Sequence, residues 1–172
     1  MEWKRVVGVG AAAVAVGALV VSPRLVNAGH TNVVLTAELS GRSEVSDRPG
    51  LAGDPNGRGE VYVFGIDGDG TTLCYVVLVK GVQLVPVPAM MAHIHEGPEG
   101  VNGPVVANLA GPEDGNAADC LTEGEPGKFP TGEAGIVQRI LNNPASFYIN
   151  VHNPEYPGGA IRGQLAPVEH QH

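Results

Sequence analysis

Glycine and proline recur throughout this chain, 25 and 14 of them in 172 residues, and the stretches between them are short and rich in β-branched residues. Such punctuation leaves little room for helices and favours short strands joined by turns, an all-β sandwich or barrel. Residues 33–39, 59–66, 71–79, 90–95, 105–109, 147–152 and 160–165 read as strands. Asp67-Gly68-Asp69-Gly70 separates two of them, and an Asp-Gly pair supplies the backbone angles of a tight hairpin. Its alternating aspartates do not make an EF-hand, because residues 71–79 lack the downstream glutamate. Residues 41–57 read as an irregular connection, and the acidic stretch 111–130, with Asp114, Asp119, Glu123 and Glu125, as a long loop. One helix is expected over 131–141. Thr131 would cap it, Glu133 would sit in its first turn, Ile136, Val137, Ile140 and Leu141 recur at helical spacing, and Asn143-Pro144 would end it.

Lys4 and Arg5 precede an uncharged run over 6–21, and Val26-Asn27-Ala28 suits signal peptidase, so residues 1–28 read as a cleaved secretory signal. The apolar run is short for a bilayer span of about 20 residues, and no membrane span is expected after cleavage. Residues 29–172 then form a single domain with a disordered tail from about 167. Cleavage removes three basic residues and one acidic one, taking the formal charge from −8 to −10 and arguing against nucleic acid as a partner. A secreted, periplasmic or cell-envelope location follows, with an unidentified protein or envelope partner. In an oxidising compartment the two cysteines, Cys74 in an apolar run and Cys120 in the acidic loop, would pair; the alternative is a buried thiol and an exposed one.

Chemistry concentrates in Ala92-His93-Ile94-His95-Glu96-Gly97 and Ile149-Asn150-Val151-His152, two strand ends running into turns. Alternate strand residues face one way about 7 Å apart, so His93 and His95 can share a space that His152 completes. Three neutral imidazoles suit copper or zinc and leave a coordination position open. Glu96 and Asn150 are candidates to hold the rings. The competing reading is scaffold, with each ring hydrogen-bonded to turn carbonyls and carboxylates such as Glu96. Arg162 has two readings as well, an anion guide or an anchor for loop carbonyls. No catalytic residue is assigned, for the chain has neither a Gly-x-Ser-x-Gly elbow nor a phosphate-binding loop, and its serines lack an adjacent histidine.

Taken together, Ala92-His93-Ile94-His95 with Gly97, Asn102-Gly103-Pro104-Val105-Val106, Tyr148-Ile149-Asn150-Val151-His152, Pro157-Gly158 and Ile161-Arg162-Gly163-Gln164-Leu165 resemble the CHRD domain. This module is repeated in chordin and occurs singly in exported microbial proteins. Leu39-Ser40-Gly41 with Glu44-Val45 is similar to the family's opening. Two departures stand out: Ala160 where an acidic residue commonly precedes Ile-Arg-Gly, and Met91-Ala92 where an aliphatic-alanine pair commonly precedes the first histidine. The resemblance implies a Greek-key, immunoglobulin-like or superoxide-dismutase-like sandwich or barrel, and it assigns microbial members no settled activity. The order His93, His95, His152, Arg162 is similar to that of copper-zinc superoxide dismutases, but no histidine between His95 and His152 supplies their bridging ligand. The expected function is an exported binding or structural module, more a non-enzyme than an enzyme, with a His-lined metal site. The alternative is a mononuclear copper protein with redox or superoxide-directed activity.

Overall fold

A computed structural model describes residues 33–46 and 53–168. The expected leader, 1–28, and the last four residues lie outside the described residues. The chain runs β1 (Val34–Ser40), β2 (Arg58–Ile66), β3 (Asp69–Lys80), β4 (Met91–Glu96), β5 (Val105–Leu109), β6 (Asn116–Thr122), α1 (Ile136–Asn142), β7 (Phe147–His152), β8 (Ile161–Gln164) and β9 (Ala166–Pro167). The strands form an antiparallel, nearly closed barrel-like sandwich in the order β5-β4-β7-β8-β1-β2-β3-β6, with β9 beside β1. A tight turn joins β2 to β3, while β1–β2, β4–β5 and β7–β8 are sequence neighbours paired across longer connections. The pairs β3–β6, β4–β7 and β8–β1 are brought together by crossovers.

Alternation builds the core. Leu35, Ala37 and Leu39 of β1, Val61 and Val63 of β2, Ala92 and Ile94 of β4, and Phe147, Ile149 and Val151 of β7 point into one apolar cluster. Each large side chain there contributes about 1.5–3 kcal/mol by leaving water. Ile136, Val137, Ile140 and Leu141 add the apolar side of α1 to the same cluster. Strand β7 is buried along its whole length, so its other face, Tyr148, Asn150 and His152, is also covered. That second face is polar and lies under loops.

Three sequence expectations need correction. Residues 116–122 are not loop but β6, hydrogen-bonded to β3 along Thr72–Leu78, because Leu121 has a place in the core and Cys120 stands opposite Cys74. Those two cysteines form the disulfide. The helix starts at Ile136 rather than Thr131, since Gly135 at φ 83° breaks the helical path as no β-carbon-bearing residue would readily do. Its first amides are capped from a distance: the Glu123 carboxylate accepts from Gly135 N (2.8 Å) and Val137 N (2.9 Å). Finally, Pro167 still belongs to a strand, and Val168 N donates to Val34 O at 2.9 Å, so pairing extends past the expected start of the tail. Among the described residues no helix is long and apolar enough to cross a membrane.

Candidate metal centre

Strands β4 and β7 pair in continuous antiparallel register, with His93 opposite Asn150, His95 opposite Tyr148 and Met91 opposite His152. Their core-facing residues being apolar, period-2 alternation sends His93, His95 and His152 together onto the loop-covered face. Ring centroids of His93 and His152 are 5.0 Å apart, those of His93 and His95 5.6 Å, and those of His95 and His152 6.0 Å. One nitrogen from each ring lies within 4.8 Å of one from each of the others. Around an ion with bonds of about 2.0–2.1 Å, tetrahedral nitrogens stand roughly 3.4 Å apart, so side-chain rotation closes the difference.

Two of the rings are oriented by backbone. The Nδ1 atoms of His95 and His152 lie 2.9 Å from Gly103 O and 3.2 Å from Pro157 O. A carbonyl can only accept, so each Nδ1 carries the proton and each Nε2 keeps its lone pair. Those two Nε2 atoms, and Nδ1 of His93, are buried with no hydrogen-bond partner. Burial also holds all three imidazoles below the ordinary histidine pKa of 6.5, aided for His93 by its two neighbours, which take it down to about 4. At neutral pH the cluster therefore offers three uncharged, unpaired nitrogens, the protonation state that a metal requires.

The scaffold around the rings is equally specific. Tyr148 stacks on His95 with centroids 4.9 Å apart and 10° between planes, and its hydroxyl accepts from Gly103 N at 3.1 Å. Gly103 thus touches His95 through its carbonyl and Tyr148 through its amide. A β-carbon there would overlap the Glu96 carbonyl oxygen, which is why only glycine fits. Arg162, 2% exposed, lies over Tyr148 with its guanidinium carbon 3.4 Å from the ring centroid. It donates to Asn102 Oδ1 (3.1 Å), Pro98 O (3.1 Å) and Val101 O (2.8 Å). These are the contacts of a loop anchor, not of an anion guide.

The two residues expected to hold the rings behave differently. Glu96 faces the other way, as the neighbour of His95 must, and its carboxylate pairs with Arg139 of α1, which also binds Glu133 at 2.8 Å. Asn150 does lie on the histidine face, but its amide donates to Glu44 Oε2 at 3.3 Å. Glu44 is a buried carboxyl that sequence reasoning gave no role beyond the opening motif; burial pushes its pKa up to about 8, with Arg162 and Asn150 opposing. Tyr148 was also missed, although the alternation Tyr148-x-Asn150-x-His152 carries its signal.

No curated protein and no solved structure matches the chain. The family model for the CHRD domain matches residues 35–165, from the first core residue of β1 to the core residue Leu165 just after β8, a span that contains every residue of the cluster and its supporting loops. The chain therefore belongs to the CHRD-domain family.

Proposed function

We propose that this CHRD domain is an exported module that binds one copper or zinc ion through His93 Nδ1, His95 Nε2 and His152 Nε2. The observation that carries this reading is the pairing of commitment and vacancy: the outer nitrogens of His95 and His152 are held by carbonyls, while the three inward nitrogens are buried without partners. A buried polar atom without a partner costs about 1–3 kcal/mol, and a bound metal would remove that cost at three atoms together. The disulfide between Cys74 and Cys120 supports an oxidising compartment.

The protein's own contribution is to fix tautomer and ring direction through Gly103 and Pro157, an arrangement typical of metal-bound histidine. Three nitrogens leave a coordination position for a further ligand. The test is metal content and Cu(II) and Zn(II) affinity of the untagged protein beside His93→Gln and His152→Ala. One equivalent per chain is expected, with affinity lowered at least about 100-fold in each variant, since even changes outside the ligand set cost roughly 10–100-fold. A folded wild-type protein that takes up no stoichiometric metal would overturn the reading.

A further inference from the structure

Met91 is the residue of β4 that the cluster leaves unexplained. It stands directly opposite His152 across the β4–β7 ladder and two residues before His93. Directly opposed residues of an antiparallel pair share a face, with β-carbons about 4.5–5.5 Å apart. Ala92 and Ile94 point into the core, so Met91 follows His93 and His95 onto the opposite face. There it is 42% exposed, a large apolar side chain at the rim of a buried polar cluster. Its neighbour Met90, by contrast, is 1% exposed and belongs to the core. Met91 is not part of the apolar core cluster.

Resting on the three-histidine reading, we infer that Met91 supplies its thioether sulfur as a fourth ligand and makes the site selective for Cu(I). The side chain has three rotatable bonds, enough to carry the sulfur from a backbone position opposite His152 toward the open coordination position. A thioether is soft and binds Cu(I) far better than Zn(II), whereas three imidazoles serve both. Being exposed, Met91 also gives the site a ligand at its mouth, where an incoming ion would be met first.

The test compares wild type with Met91→Leu, which retains size and leaves the core untouched. Cu(I) and Zn(II) affinities are measured by competition, with copper X-ray absorption to detect sulfur beside nitrogen. The expected result is a loss of roughly tenfold or more in Cu(I) affinity against less than about threefold for Zn(II), and disappearance of the sulfur signal. Equal Cu(I) affinities with only nitrogen ligands would overturn the Met91 assignment while leaving the three-histidine site standing. Failure of the wild type to bind either ion would overturn both.

Discussion

Replacing Arg162 by Met tests the anchor beneath the site most directly. The substitution keeps an unbranched apolar stem under the loop but removes three charge-assisted hydrogen bonds, to Asn102 Oδ1, Pro98 O and Val101 O, and the contact with the Tyr148 ring. Hydrogen bonds from a charged donor contribute about 1.5–3 kcal/mol each, and a desolvated cation over an aromatic ring about 2 kcal/mol. Two effects reduce the sum. The Pro98, Val101 and Asn102 loop residues are exposed and can turn their oxygens to water, and removing a buried charge recovers part of its desolvation cost. A net loss of about 3 kcal/mol remains, read as a fall of roughly 1.5 M in urea midpoint for a slope near 2 kcal/mol per M. Because Gly103 closes the same loop onto His95 and Tyr148, metal affinity should fall with stability. Arg162→Lys, which keeps the charge but not the planar fork, should recover less than half of either. A stability loss under about 1 kcal/mol, or intact metal affinity in a destabilised variant, would refute the anchor argument.

Two further predictions concern the same framework. The Cys74–Cys120 bond closes a 46-residue separation, so Cys74→Ser with Cys120→Ser should lower stability by about 4 kcal/mol in chemical denaturation, and a loss below about 1 kcal/mol would mean that the paired strands already restrict the unfolded chain. The metal-free protein should lose stability as pH falls below about 6.5, because the unfolded histidines take up protons there while the folded rings resist, His93 down to about 4; His93→Gln should flatten this limb of a urea-midpoint profile. Glu44 acts in the opposite sense. Its stabilising contribution is complete below 4.5 and is lost as pH rises through about 8, so Glu44→Gln should compare more favourably with wild type at pH 8 than at pH 5.

Much of the fold is legible in the residues themselves. The runs 105–109 and 147–152 begin and end where β5 and β7 do, and the other expected strands differ from the observed ones by at most a few residues. Turn chemistry and period-2 alternation are local properties, set by neighbours along the chain. Strand β6 was illegible for the same reason. Asn116-Ala117-Ala118-Asp119-Cys120 is polar and small, as an exposed edge strand can be, and only pairing with β3 makes it a strand. Thr131 and Glu133 fit a helix start in isolation, whereas the first amides of α1 are capped by Glu123, which only the tertiary structure brings there.

The sequence alone determined that this chain is a β-fold with its histidines on alternating positions, and that His93 and His95 share one face. The CHRD motifs were likewise readable without coordinates. Only the tertiary structure decided that β7, more than fifty residues later, lies against β4, bringing His152 to the pair and Met91 beside it. It also decided that Arg162 grips a loop, that Glu96 serves α1 instead of the rings, and which nitrogen of His95 and His152 is spent on a carbonyl. The physical reason is one of range. Which way a side chain points is fixed by backbone sterics over a few residues, whereas what it meets depends on strand order, and strand order is settled by burying apolar surface from the whole chain at once.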